Sequence, residues 1–205
     1  INIWNYLMIK IESLNNDEPY LKYQELYDLA LSKNQNQIER ILIASFNTDL
    51  KEVNARYVNL KYVIKDEWIF FSNYESVKAK DFLTHNQITA VSYWSSIDVQ
   101  IRMKATIKKS SKEFSDKHYS LRSKEKNALA FSSPQSQPVN SYQDVKNNYQ
   151  HTLSARNIKN RPTYWGGYSF IPYYFEFWKG HESRINKREI YKNQNNKWTK
   201  SFLSP

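Results

Sequence analysis

Between Tyr173 and Tyr191 the chain reads YYFEFWKGHESRINKREIY, a run that brings aromatic rings, acids and paired arginines close together. Read as a strand, alternation over Arg184 to Arg188 puts Arg184, Asn186 and Arg188 on one face and Ile185 and Lys187 on the other. Two guanidiniums flanking an amide, beside Trp178 and an aromatic pair, make a grip suited to a planar, phosphorylated ligand. Guanidinium forks match phosphate oxygens and also stack on rings. The competing reading is an exposed basic strand in a lysine-rich protein. Upstream, Arg56 and Lys61 share an apolar run and face opposite sides of a regular strand, so both reach one ligand only where the strand twists or bulges. Ser76 stands at an N-cap position, and the helix it opens offers backbone N–H groups to an anion.

Elements must hold these side chains. Asp17 and Glu18 before Pro19 signal a helix start, and Tyr20, Leu21, Tyr23, Leu26, Tyr27 and Leu31 continue with helical spacing toward Ser32. Ile41 to Phe46 reads as a strand, followed by a turn near Asn47 to Asp49. Arg56 to Ile64 and Trp68 to Ser72 read as a hairpin around Lys65, Asp66 and Glu67. A helix is expected from Ser76 to about His85, then strands at Ile88 to Trp94 and Gln100 to Ile107. Lys112 to Arg122 and Ser141 to about Leu153 read as helices, with an irregular stretch from Ser132 to Pro138 between them. Strands at Tyr164 to Ile171, Tyr174 to Trp178, Arg184 to Tyr191 and Lys197 to Phe202 close the chain. Many strands at hairpin spacing with few helices predict a mostly β protein, an antiparallel β-barrel with added helices rather than a doubly wound sheet. The expected organisation is an N-terminal extension and helix over residues 1–36 and a barrel domain over residues 37–205.

A chain of 205 residues suffices for one compact domain with a substantial core, and no apolar run approaches the length of a membrane-spanning helix. The absence of cysteine removes disulfides, thiolate nucleophiles and cysteine-based metal sites, and fits a reducing, cytoplasmic compartment. A net charge of +10 directs attention to polyanions such as nucleic acid. The basic residues are dispersed, however, and abundant Lys, Asn, Ile, Tyr and Phe with three glycines point to a bias of the whole chain. Nucleic acid is therefore disfavoured, and a small phosphorylated ligand is served equally well. The histidines, His85, His118, His151 and His181, show no metal-ligand spacing, and neither a nucleophile elbow nor HExxH occurs, so no metal is expected. No glycine-rich phosphate loop is present, which leaves side chains, strand backbone and helix ends to hold any nucleotide. Residues Ile1 to Ile11 lack a preceding basic stretch and a following cleavage site, and read as a packed extension.

The C-terminal run resembles the signature of the pyridoxamine 5'-phosphate oxidase family, E-F-W-x-x-x-x-x-R-[apolar]-H-[acid]-R, through Glu176, Phe177, Trp178, Arg184, Ile185 and Arg188. Asn186 stands where the family has His, and Lys187 where it has an acid. Arg56-Tyr57-Val58-Asn59-Leu60-Lys61 resembles the family strand R-x-V-x-L-K, and Phe71 and Ser72 resemble the Tyr-Thr strand end. Ser76, Val77 and Lys78 occupy the places of Ser-Arg-Lys, Gln100 that of the Gln in R-Q-V-R, and Gln135 and Ser136 those of a Gln-Ser pair. The resemblance spans roughly residues 38 to 205 and is weakest between 115 and 130.

That resemblance implies an antiparallel FMN-binding split barrel that works as a homodimer with shared sites. Arg56, Lys61, Ser72 and Lys78 would come from one subunit, and Gln135, Ser136, Trp178 and Arg188 from its partner. FMN would be held by these residues together with Tyr57, Val58, Phe71 and Gln100. Lys61, His118, Arg122 and Lys126 would hold the substrate phosphate, with Arg184 over the pyridine ring and Asn186 beside it as the catalytic pair. The implied reaction moves a hydride from the exocyclic carbon of pyridoxamine or pyridoxine 5'-phosphate to the flavin, with dioxygen as final acceptor. The alternatives are a divergent flavoprotein of the same fold acting on another planar substrate, and a non-enzymatic nucleic-acid-binding barrel.

Overall fold

The structure, a computed structural model, describes residues 8–154 and 158–205. The packed extension expected at Ile1 to Ile11 lies outside the described residues as far as residue 7. Strand periodicity governs the central strands: in β2 (Arg40–Asn47) buried and less buried residues alternate, as they do in β5 (Gln87–Trp94) and in most of β6 (Val99–Lys109). One face of each strand is thereby committed to a core.

Strands β3 (Glu52–Ile64) and β4 (Glu67–Asn73) form a hairpin, and β7 (Trp165–Lys179) receives β4 on one side and β6 on the other. The ring β3-β2-β5-β6-β7-β4 closes on itself, all its pairs antiparallel. Closure reduces the open edges that such strands would otherwise present. Strand β1 (Lys10–Glu12), not expected from the sequence, adds to β3 in parallel. β8 (Lys187–Gln194) and β9 (Lys197–Leu203) extend the sheet from β7, joined by a turn in which Asn195 and Asn196 both have positive φ. Asn tolerates that conformation better than most residues, and such turns match the twist of paired strands.

Two expected strands prove to be one. Tyr164 to Ile171 and Tyr174 to Trp178 merge into β7, and the interruption read at Pro172 is a bulge: Ala105 pairs with Pro172 and Lys104 with Tyr174, leaving Tyr173 over. Pro172 lies where pairing with β4 ends at Phe170 and pairing with β8 begins at Tyr174, so its missing N–H costs little. The strand expected from Arg184 begins instead at Lys187. The helix expected to Arg122 ends at Ser120 (α3, Lys112–Ser120), and a further helix, α4 (Lys124–Ser132), starts from an N-cap at Ser123 that accepts from the Lys126 N–H. α5 (Tyr142–Ser154) buries none of its residues.

Helix α1 (Glu18–Ser32) buries Tyr20, Tyr23, Tyr27 and Ala30 in the same core as the barrel. The Tyr23 ring meets Trp68 edge-on at 4.4 Å between centroids and Trp94 at 5.4 Å. Each fully buried aromatic side chain contributes roughly 1.5–3 kcal/mol. The helix is also tied to the C-terminal hairpin by charge. Glu189, 2 % exposed, lies 2.8 Å from Lys22 Nζ on α1, 3.1 Å from Lys187 on β8 and 3.1 Å from Lys200 on β9, with the Tyr191 hydroxyl donating at 2.6 Å. Burial alone would raise its pKa, but Lys22, Tyr191, Lys200 and Lys187 outweigh burial and bring the carboxyl down to about 2.

A carboxyl whose folded pKa is depressed contributes stability above its unfolded value, near 4.3, and loses it as pH falls toward the folded value. Replacing Glu189 with Gln is therefore expected to lower the unfolding free energy by about 2 kcal/mol at neutral pH and to flatten acid destabilisation below about pH 4.5, both measured by denaturant titration. Equal stability of the two proteins at neutral pH would refute this.

Candidate functional site

At one point β3 and β4 lose step. Leu60 pairs with Phe70 and Tyr62 with Ile69, which leaves Lys61 as an extra residue. A bulge re-aims side chains that a regular pleat would send to opposite faces. Arg56 and Lys61 consequently line the same cavity, of about 770 Å³, as do Tyr57, Val58 and Tyr62. Among the described residues six cationic side chains line it, Lys10, Arg56, Lys61, Lys78, Arg122 and Lys126, and no carboxylate does.

One cationic group gathers at the start of α2 (Val77–Thr84). Lys78, 7 % exposed, donates from Nζ to Ser72 Oγ at 3.0 Å and Ser76 Oγ at 3.2 Å. Ser76 holds the N-cap position but caps nothing with its side chain, since its hydroxyl donates to the Asn73 carbonyl at 2.8 Å. The first N–H groups of the helix thus remain without a side-chain cap, a favourable setting for an anion. Burial lowers the Lys78 ammonium to about 8, Arg56 pushes the same way, and Asp81 opposes them. Arg56 Nη1 donates to Ser45 Oγ at 2.6 Å and to the Ile43 carbonyl at 3.3 Å.

The second group forms where α3 and α4 meet the barrel. His118 lies flat on Phe71, with centroids 3.6 Å apart and planes 10° apart, and its Nδ1 is 2.9 Å from the Tyr62 hydroxyl. Burial first, then Arg122, Lys61 and Lys126, push its pKa down to about 3, so the imidazole is neutral at physiological pH. The Arg122 guanidinium sits 4.2 Å from the Trp165 ring and donates from Nη2 to the Lys126 carbonyl at 2.7 Å. Its Nη1 is buried with no hydrogen-bond partner among the described residues, and burial lowers its pKa to about 10. Lys61 is lowered as well, chiefly by burial. Cations held at this density, one with an idle donor, form a site for a phosphate or a similar anion.

Gln135 and Ser136 also line this cavity. Gln135 Oε1 accepts from Ser72 Oγ at 3.2 Å, so the pair joins Ser72 within one chain rather than facing it from a second subunit, as had been expected. Ser136 has φ of 69°, a left-handed conformation that is costly for a residue other than glycine and is most often retained at functional sites.

Five expected site residues fall elsewhere. Gln100, Trp178 and Arg188 form one row across β6, β7 and β8, each in register with the next. Arg188 is engaged with Glu176, 2.8 Å away, and Arg102 grips the same buried carboxylate. Arg184 does not share a strand face with Arg188. It sits in a left-handed turn with φ of 60°, its N–H donating to the His181 carbonyl at 2.8 Å. Asn186 Oδ1 accepts the His181 N–H at 3.0 Å. Arg184, Asn186 and Trp178 line a separate, open concavity with Asp98 and Gly180. Period-2 alternation misled here because it was carried past the beginning of the strand.

Tyr62 and Trp165 escaped motif reading. Alternation sends Tyr62 to the wall opposite Lys61, and only the bulge unites them. Trp165 precedes Gly166 and Gly167, where an added Cβ would come within 2.2 Å of the Tyr74 hydroxyl and 2.7 Å of Ser110 Oγ. In a chain with three glycines, that adjacent pair was the available signal of close packing.

Residues 165–205 match the family profile described as the pyridoxine 5'-phosphate oxidase C-terminal dimerisation region. A pyridoxine/pyridoxamine 5'-phosphate oxidase of Leptospira biflexa serovar Patoc is 33% identical over 178 residues, which cover 85% of this chain and 84% of that one. One from Burkholderia lata is 31% identical over 193 residues, covering 92% and 89%. Among solved structures, PhzG from Burkholderia lata, in complex with tetrahydrophenazine-1-carboxylic acid, superposes with a TM-score of 0.86 at 20% identity, covering 92% of this chain and 93% of its own. A pyridoxamine 5'-phosphate oxidase-related, FMN-binding protein from Nostoc punctiforme gives 0.72 at 13% identity, covering 89% and 97%. Both likenesses are of fold.

The cavity makes its own prediction. Sulfate keeps its charge across the titration of Lys78, so its stabilising effect is expected to be larger at about pH 7 than at about pH 9.5, where the ammonium has lost its proton. Lys78→Met should shrink that difference to the part contributed by the cations around Arg122, as read by thermal unfolding in both proteins. A pH difference of equal size in the variant would exclude Lys78 as its source.

Proposed function

The chain belongs to the pyridoxine/pyridoxamine 5'-phosphate oxidase family, and on that premise we propose that it is a cytoplasmic, homodimeric, FMN-dependent oxidase that converts pyridoxamine or pyridoxine 5'-phosphate to pyridoxal 5'-phosphate. The observation that carries this reading is the cavity with two cationic groups and, among the described residues, no carboxylate on its wall. One group suits the phosphate of a flavin nucleotide and the other the phosphate of a second ligand. The volume lies within the usual range of small-molecule sites, roughly 300–1,000 Å³. Cations gathered inside a cavity, rather than in a stripe along one face, argue against a nucleic-acid-binding barrel.

The residues present fit FMN. Arg56, Ser72 and Lys78 would hold its phosphate with the first turn of α2, while Tyr57, Val58, Phe71, Gln135 and Ser136 line the neighbouring wall. FMN, when bound, supplies the hydride acceptor and passes the electrons to dioxygen. The protein's part is to bind, orient and exclude water. Lys61, Arg122 and Lys126 would neutralise the substrate phosphate, and His118, neutral and braced by Phe71 and Tyr62, would act as a hydrogen-bond donor. The row Gln100, Trp178 and Arg188 and the Arg184–Asn186 turn would complete the site of a second copy, which is why a dimer is required. The match of residues 165–205 to a dimerisation region supports that arrangement. Asn186 can accept or donate a hydrogen bond but cannot take up a proton near neutrality, as an imidazole can.

A second reading is oxidation of another planar acid by the same flavin site. His118, a neutral ring stacked on Phe71 within the cationic group, favours it, since it offers a flat surface beside the anion-binding side chains.

The purified protein with FMN should be yellow and should bleach anaerobically when pyridoxamine 5'-phosphate is added. Arg122→Ala should raise KM for that substrate by roughly 10- to 100-fold, the equivalent of one charge-assisted contact, without weakening FMN. Asn186→His should raise kcat. Bound flavin that pyridoxamine 5'-phosphate leaves oxidised would favour the second reading, and a protein that binds no FMN would end both.

A further inference from the structure

Asp81 is not among the residues that line either cavity described above and belongs to none of the motifs, yet its carboxylate is heavily engaged behind the α2 end of the site. It is 0 % exposed. Its Oδ2 accepts from Ser45 Oγ at 2.6 Å, from Asn54 Nδ2 at 3.3 Å and from Arg56 Nη2 at 3.5 Å, and its Oδ1 accepts from Asn47 Nδ2 at 3.1 Å. These donors come from β2 and β3, so one side chain of α2 gathers two strands of the barrel around it. Ser45 is also a relay: it takes a hydrogen bond from Arg56 Nη1 at 2.6 Å and donates its own proton to Asp81. Both terminal nitrogens of Arg56 are thereby fixed from behind.

We propose that Asp81 is a positioning residue for the phosphate-binding end of the cavity, aiming Arg56 at the ligand and supplying the negative charge that lets Arg56 and Lys78 stand side by side. The proposal rests on the reading of that end as the seat of the FMN phosphate. A fully buried carboxylate is costly unless paired and hydrogen-bonded, and this one meets both conditions through a residue of the ligand cavity. Without it, two partly buried cations would face each other with no opposing charge, and the more acidic of the two, Lys78, would lose its proton first. Among the described residues, the charged groups bearing on Lys78 are Arg56 from β3 and Asp81 from its own helix. Ser72 from β4, Ser76, and Ser45 and Asn47 from β2 are uncharged. Asn at position 81 keeps the shape and several of the hydrogen bonds but removes the charge.

FMN affinity, read by quenching of flavin fluorescence between about pH 6.5 and pH 9.5, tests this, because the second ionisation of the ligand's phosphate, near pH 6, lies below that window. Wild-type affinity should fall as pH rises through about 8, where the Lys78 ammonium of the free protein titrates. In Asp81→Asn the dissociation constant should rise about tenfold at pH 8, and the alkaline fall should begin about one pH unit lower. Ser45→Ala, which cuts the relay but keeps the charge, should weaken FMN several-fold with the alkaline fall unmoved. The Ser45 variant also serves if the Asp81 variant does not fold. A merely structural role would lower melting temperature without moving the pH profile. Wild-type quenching that neither substitution alters would overturn the proposal alone, whereas a wild-type protein that does not quench flavin would overturn the FMN reading beneath it.

Discussion

Like charges crowded out of water repel, and this protein maintains such a crowd around one cavity. Three of these cations are restrained by neutral or backward-facing partners, so that their charge is left to act inward. Arg56 is held by Asp81, Ser45 and a backbone carbonyl, Lys78 by two hydroxyls, and Arg122 by an indole face and a carbonyl. The histidine among them gives up its proton chiefly because it is buried, and the same field adds to the effect. Such a wall holds free energy that an incoming anion releases.

A rigid frame is needed to keep the cations from spreading apart. Closure of the six-stranded ring supplies it, with β4 joining the end of β3 to β7. The two irregularities in that ring have distinct purposes. The bulge at Lys61 turns a second cation into the cavity, and the bulge at Tyr173, next to Pro172, lets β7 change partners from β4 to β8. That change of partner carries the C-terminal hairpin, with Trp178 and Arg188, away from the cavity of its own chain. Helix α1 and the buried Glu189 then hold the hairpin down, which links the stability of the N-terminal part to the position of these outlying residues.

Much of the frame was legible in residue order because alternation and capping are local. The helix opening at Pro19, the hairpin around Lys65 and Asp66, and the strands from Gln87 to Lys109 depend on neighbours a few positions apart. The failures share one cause: each depended on something distant. Tyr164 to Trp178 looked like two strands because a proline normally interrupts a ladder, and only the change of partners removes that objection. Arg184 and Asn186 looked like strand residues because no local signal marks where β8 begins. Gln135 was assigned to the wrong subunit because sequence spacing carries no information about which chain a loop folds back on.

The order of side chains alone determined a β-rich barrel with a helical cover, and it determined which residue types were present for binding phosphates, since both follow from short-range patterns of polarity. Only the tertiary structure decided that Arg56 and Lys61 face one space, that His118 is neutral there, and that a carboxylate on α2 stands behind the arginine. Those outcomes depend on strand pairing, on burial and on through-space charge, and none of these exists until the barrel closes.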